Sequence, residues 1–274
     1  MVTGANAGIG KETALALAHM DATVVMVCRN PERGKVAQSD IQSQTGNDAV
    51  HLLLADFSVQ QQIRQLASNF KTQFDRLDVL VNNAGLIMGQ RIETVDGIET
   101  TFAINHLGYF LLTHELLDIL RASAPARIVN VASGAHNIGP MPFEQLQGHH
   151  GYKAMRAYGA SKLANIMFTY ALARRLANTE ITVNCLHPGV VATHFGSEGP
   201  FLIRHFFSLA KPFLRSSAKG AETSIYLASS PEVADVTGKY FIKKKATASS
   251  TSSYDENAWD RLWALSEQLT RLSF

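Results

Sequence analysis

Tyr158 and Lys162 stand four residues apart in the run YGASK, inside a stretch that reads as helix. That spacing places both side chains on one face, a turn apart. A phenol titrates near ~10 and by itself is a poor base at neutral pH. An ammonium about 5 Å away, at an effective dielectric of ~20, favours the phenolate by about 3 kcal/mol, or roughly 2 pKa units. The pair therefore predicts a phenol able to give or take a proton at a reacting oxygen. Ser133 ends the run RIVNVAS, and its hydroxyl could polarise the same oxygen. A further feature is TGANAGIG, Thr3 to Gly10, followed by the helix-like run KETALALAHM. Gly4 permits a tight turn, Gly8 lets backbone N–H groups approach a pyrophosphate, and Gly10 allows close packing at a helix start whose dipole favours an anion. Alone, these glycines read equally well as punctuation, because GxxxGxG is not the usual GxGxxG.

Groups so far apart in sequence need a scaffold that brings them together. Strand-like and helix-like runs alternate: ATVVMVC, a polar helix, VHLLLAD, a helix through IRQLASNF, DVLVNNAG, a long helix, RIVNVAS, another helix, ITVNCLHPG. This is the βαβ rhythm of a parallel sheet, and its near-continuous apolar strands call for helices on both faces. The expected fold is a three-layer α/β architecture with a doubly wound parallel sheet. Strand carboxyl ends then open onto one crevice, bringing together NNAG (Asn82 to Gly85), Ser133 and HPGVVAT (to Thr193). A chain of 274 residues, 46% apolar and 18% charged, can bury one large core. A net charge of +2, whose only basic run, Lys243 to Lys245, reads as a solvated strand end, argues against a nucleic-acid partner. Two cysteines, Cys28 and Cys185, both in apolar strand-like runs, argue against a disulfide framework and for a reducing compartment. No run approaches the ~18 apolar residues of a membrane span, so the chain as given reads as soluble and cytoplasmic.

With NNAG, Ser133, Tyr158-x-x-x-Lys162 and HPGVVAT in order, each in its expected place in the strand-and-helix pattern, the chain resembles the short-chain dehydrogenase/reductase family over essentially its whole length. The resemblance implies one Rossmann-like domain over 1–274 and a catalytic tetrad of Asn105, Ser133, Tyr158 and Lys162. It implies hydride transfer at carbon, with Tyr158 as acid/base at oxygen, Asn105 holding a water that links the lysine to solvent, and Lys162 also binding the nicotinamide ribose. Implied cofactor contacts are Gly4, Asn6, Gly8, Ile9, Gly10, Arg29, Asp56, Phe57, Asn83, Ala84, Gly85, Tyr158, Lys162, Pro188, Gly189, Val191 and Thr193. Of these, Asp56 faces the adenine and Thr193 the carboxamide; no metal is implied. The second strand ends VVMVCRN, with Arg29 where relatives that use NAD place an acid, and Arg33 and Lys35 follow. A guanidinium pairs bidentately with a 2′-phosphate that a carboxylate would repel, so the expected cofactor is NADP(H).

NHLGYFLLT, YGASKLANIMFTYALARRL and VNCLHPGVVAT are similar to the retinol dehydrogenase branch, which implies an apolar aldehyde or ketone and its alcohol as substrates. Light-dependent protochlorophyllide reductases share the glycine turn and the Tyr/Lys pair but carry longer insertions. A non-catalytic NADP(H) sensor on the same fold is the other alternative, and the intact tetrad weighs against it. The Phe-rich run after Thr193, with Phe195, Phe201, Phe206, Phe207 and Phe213, is expected to form an apolar lid over the substrate; packed helices or a membrane-surface patch would read alike. Met1 and Val2 leave little room for a first strand of the usual 5 or 6 residues, which suggests a late start or a fragment and a weakened sheet beside the glycine turn. Some relatives carry an apolar anchor ahead of this strand, so membrane association stays open for a longer chain. A homodimer also stays open, through helices 104–121 and 157–177.

Overall fold

The computed structural model describes residues 1–149, 151–189 and 216–272. Strand β2 (Val24–Cys28) is buried at every position, as a β-branched run covered on both faces must be. β1 (Val2–Thr3), β3 (Val50–Leu54), β4 (Val79–Asn82), β5 (Ala126–Val131), β6 (Ile181–His187), β7 (Lys239–Ile242) and β8 (Lys245–Ala246) complete one eight-stranded sheet in the order β3-β2-β1-β4-β5-β6-β7-β8. All pairings are parallel except β7 with β8. The order reverses between β1 and β4, where the helices on either side diverge and a crevice opens at the strand carboxyl ends.

Helix α1 (Gly8–Ala18) leaves the glycine turn directly. Helix α2 (Pro31–Thr45) starts with proline and is capped by the Asn30 side chain, which accepts from Arg33 N at 2.9 Å; it stops at Gly46 in the left-handed region. Helix α3 (Gln60–Gln73) buries Ile63, Leu66, Ala67 and Phe70, the stripe of an amphipathic helix. The single long helix expected over 104–121 is instead divided. α4 (Thr100–Phe102) runs into a π-turn at Ala103–Leu107, then α5 (Gly108–Glu115), and after Leu116 α6 (Leu117–Ala122). The swelling falls where the Asn105 amide turns to pair with the backbone of Leu86. Helix α7 (Ala154–Arg175) carries Tyr158 and Lys162 and is buried at every position from Tyr158 to Ala173. Helices α8 (Ser217–Ser229) and α9 (Glu256–Thr270) complete the layers.

The core lies on both faces of the sheet. One side packs Phe70, Tyr109, Phe110, Phe168 and Trp263; the other packs Ala14, Met26, Ile41, Leu227 and Phe241. Cys28 and Cys185 are buried free thiols. Lys243 and Lys244 form the exposed turn between β7 and β8, with φ of 51° and 64°. Beside β1 the first residue adds terminal and backbone contacts to β4. The Met1 amine donates to Val79 O at 2.8 Å, Met1 O accepts from Val81 N at 2.9 Å, and burial pushes that amine down to about 5. Among the described residues, no helix is long and apolar enough to cross a membrane.

Candidate active site

Four of the expected residues meet at the carboxyl ends of β4 and β5. Ser133 follows β5 with extended backbone and caps the 3-10 turn Gly134–Ile138, its Oγ accepting from Ala135 N at 3.2 Å. The Ser133 side chain also acts on the Tyr158 phenol, drawing its pKa down against the effect of burial. Lys162 lies one turn further along α7, donates to Val131 O at 3.0 Å and holds its ammonium 5.8 Å from the Tyr158 ring and 5.6 Å from that of Tyr109. Asn105 accepts from Leu86 N at 2.8 Å and donates to Leu86 O at 2.8 Å and to Ser161 Oγ at 3.0 Å. Gly85 joins these groups. A Cβ there would lie 3.1 Å from Asn105 Oδ1 and 3.4 Å from Lys162 Nζ, so the loop after β4 approaches both closely because it carries no side chain.

The electrostatics differ from the expectation of a lysine that simply lowers the phenol. Burial pushes Tyr158 up to about 12, with the Ser133 hydrogen bond pulling it partly back. Burial likewise pushes Lys162 down to about 7. Removing both groups from water disfavours each charged form. Near neutral pH the pair therefore holds a protonated phenol beside an amine balanced between its two forms.

The glycine turn lies next to this cleft. Gly4 and Gly8 have φ of 65° and 58°, conformations that favour glycine. A Cβ on Gly10 would collide with Gly4 O and lie 2.5 Å from Asn83 Nδ2, so helix and turn pack with no space for a side chain. The start of α1 has no side-chain cap and no acidic residue in its first turn, leaving its N–H groups and dipole available to an anion. The residues thus suit a pyrophosphate. Asn83 donates from Nδ2 to Thr3 O at 2.7 Å, while Thr3 Oγ1 accepts from Asn83 N at 2.8 Å and Ala84 N at 2.9 Å, fastening β4 to the turn. Asn6 and Ile9 sit half-buried in the turn and the first turn of α1. Arg29 is exposed just after β2. Asp56 accepts from Ser58 N and Oγ, and the Phe57 ring is buried in the core, where a Cβ on Gly108 would meet it. Pro188 and Gly189 follow β6. Val191, Thr193 and the Phe-rich run expected as a lid lie outside the described residues.

Several site residues carry no sequence signal. Ile87, Ala154 and Tyr158 form a small apolar cluster with Tyr152 and Ala135 against it. Ile138 and Met155 are 44% and 45% exposed, Ile138 lying against Gly159 and Met155 on α7 just before Tyr158. Beneath it runs a buried polar ladder: Asn82 Nδ2 donates to Asn130 Oδ1 at 2.9 Å, Asn130 Nδ2 to Thr169 Oγ1 at 3.0 Å, and Thr169 Oγ1 to Asn165 O at 2.8 Å.

The sequence profile described as short chain dehydrogenase matches residues 1–199. Retinol dehydrogenase 12 of Mus musculus is 42% identical over 269 residues, spanning 98% of this chain and 85% of that protein. Retinol dehydrogenase 13 of Homo sapiens is 42% identical over 278 residues, spanning 99% and 84%. An uncharacterized protein from Mycobacterium Paratuberculosis has a crystal structure similar to this chain at a TM-score of 0.79 and 32% identity, covering 99% of this chain and 92% of its own. A short chain dehydrogenase from Escherichia coli CFT073 complexed with NADPH is similar at a TM-score of 0.68 and 26% identity, over 88% and 93% of the two chains. The profile match, the relatives and the doubly wound sheet agree: the chain belongs to the short chain dehydrogenase family.

Proposed function

We propose that this protein is an NADP(H)-dependent oxidoreductase that interconverts an apolar aldehyde or ketone, retinoid-like in character, with its alcohol. The observation that carries the reading is the convergence of Ser133, Tyr158, Lys162 and Asn105 at the carboxyl ends of β4 and β5, with Gly85 closely approaching both Asn105 and Lys162. When bound, NADP(H) supplies or accepts the hydride at the substrate carbon. The turn from Gly4 to Gly10, with Asn6 and Ile9, would hold its pyrophosphate; Arg29 would hold the 2′-phosphate, Asp56 and Phe57 the adenine side, and Asn83 to Gly85 with Pro188, Gly189, Val191 and Thr193 the remainder. The names of the relatives, the NADPH complex of a structural neighbour and the absence of an acid after β2 support this assignment. The exposed apolar side chains of Ile138, against Gly159, and Met155, on α7 just before Tyr158, support an apolar substrate.

In the reducing direction, Ser133 and Tyr158 each donate a hydrogen bond to the carbonyl oxygen, and Tyr158 releases its proton to that oxygen as charge develops there. The high phenol pKa suits the acid role. Lys162, pushed to about 7, can take up or return a proton near neutral pH and stabilise the phenolate left behind. Asn105 fixes the loop after β4 against α7. In the oxidising direction the same groups run in reverse, with Tyr158 taking the alcohol proton. Tyr158→Phe is expected to lower the turnover of apolar aldehydes by at least ~10²-fold while NADPH affinity, read by fluorescence titration, stays within about twofold. A variant that reduces aldehydes as fast as the parent would refute the assignment.

A further inference from the structure

The peptide that joins Ser133 to Gly134 is gripped at both ends by imidazoles. His136 donates from Nδ1 to Ser133 O at 2.7 Å, and Gly134 N donates to His187 Nδ1 at 3.0 Å. These are the carbonyl and the amide of a single peptide plane. His136 is 2% exposed, accepts at Nε2 from Ser250 N at 3.0 Å and stands edge-on to Tyr240 of β7 at 5.1 Å. His187 ends β6, the strand beside β5. The bonds also assign the tautomers. His136 must carry its proton on Nδ1 to serve a carbonyl there and an amide at Nε2, while His187 must leave Nδ1 bare to accept from Gly134. Burial holds His136 below the ordinary histidine range and so in its neutral form.

We infer that His136 and His187 are positioning residues that lock the Ser133–Gly134 peptide and thereby aim the Ser133 hydroxyl, a role that rests on the hydride-transfer reading given above. The peptide needs such a lock because glycine follows the serine and leaves rotation on its far side nearly free. Turning the plane would carry away the Ala135 N–H that caps Ser133 Oγ and, with it, the aim of the hydroxyl. Small misplacements of a polarising group are costly, since a displacement of about 1 Å can lower a rate ~10²-fold. The two histidines tie the serine to three further elements, β6, β7 and the segment at Ser250, none of which bears a member of the tetrad.

The test is steady-state reduction of an apolar aldehyde with NADPH by the full chain. His187→Leu is expected to lower kcat about tenfold, leaving the aldehyde KM, NADPH affinity and thermal midpoint close to the parent's. His187→Asn, whose Oδ1 can accept from Gly134 N, should recover most of that loss. In a Ser133→Ala background, His187→Leu should cost nothing more, because it acts through the hydroxyl already removed. The inference is overturned if Ser133→Ala is slow while His187→Leu is as fast as the parent, if the two losses multiply, or if the loss lies wholly in NADPH affinity. Should His187→Leu not fold, His136→Phe against His136→Asn gives the same reading, since the backbone N–H of residue 136 donates to Ser133 O at 3.2 Å in either variant and only asparagine adds a side-chain donor; equal rates for that pair would also overturn it. A fully active Ser133→Ala would instead refute the proposed function itself, and that single variant separates the two failures.

Discussion

A lysine sealed beneath a protein surface carries its charge at a cost in folding free energy. Lys162 releases its proton at about 7 when folded but only near ~10.5 when unfolded. Between those values the unfolded chain binds the extra proton, so this site makes stability rise with pH, by at most about 1.4 kcal/mol per pH unit, and the penalty is full below 7. Lys162→Met should therefore be more stable than the parent at pH 7, with the difference shrinking toward pH 10; urea unfolding at the two pH values measures it. A constant difference would mean that the ammonium is not penalised. At Arg29, a charge-assisted pair with the 2′-phosphate would contribute on the order of 1.5–3 kcal/mol, and Arg29→Asp replaces attraction with repulsion. We expect the NADPH-to-NADH ratio of catalytic efficiencies to fall at least ~100-fold, about 2.7 kcal/mol; an unchanged ratio would place Arg29 among ordinary surface arginines. At this scale Ser133, Tyr158 and Lys162 were legible because strand ends and a four-residue spacing are local properties. The upward shift of Tyr158 was not, since burial depends on the whole surroundings, and neither were His136, His187 and Thr3, whose partners come from distant strands.

Most elements were legible as well, because parallel strands buried on both faces are continuous apolar runs. The division of the helix expected over 104–121 was hidden. Its π-turn arises from a tertiary demand, the pairing of the Asn105 amide with Leu86, that leaves no mark on hydrophobic periodicity. The β7–β8 hairpin was marked only by a basic run beside a strand. Its turn places two lysines in the left-handed region, at a cost of roughly 1–2 kcal/mol each relative to glycine. Asparagine followed by glycine suits a two-residue turn with both φ positive. Replacing Lys243 with Asn and Lys244 with Gly together should raise the thermal midpoint by about 2–5 °C, with the backbone bond from residue 244 to Thr223 Oγ1 retained. Calorimetry showing no gain would indicate that the lysines are strain-free there.

For the molecule as a whole, the terminal helix decides which surfaces remain available. The sequence left a homodimer open through the helices now resolved as α5, α6 and α7. In the structure α9 lies over the π-turn and α7: Trp263 packs edge-on to Phe110 at 5.1 Å and beside Phe168 at 6.0 Å, Arg175 stacks on it at 3.8 Å, and His106 bonds Ser266 Oγ at 2.9 Å. Trp263→Ala should cost about 3–5 kcal/mol, lowering the thermal midpoint by roughly 6–15 °C. Light scattering after gel filtration should give a parent mass that does not rise through this face and a Trp263→Ala species prone to associate. Parent dimers crosslinked across α7 would contradict this account.

A cover joined to its own chain has a consequence for mass action. The local concentration of α9 above α7 is set by the short connection after β8 and is the same in a dilute and a crowded solution. A face sheltered by a second subunit is exposed on dilution, and its apparent stability then varies with protomer concentration. Here the seal over the helix that carries Tyr158 and Lys162 is a first-order property of one molecule, so the site should stay assembled at the nanomolar enzyme levels at which turnover is usually measured.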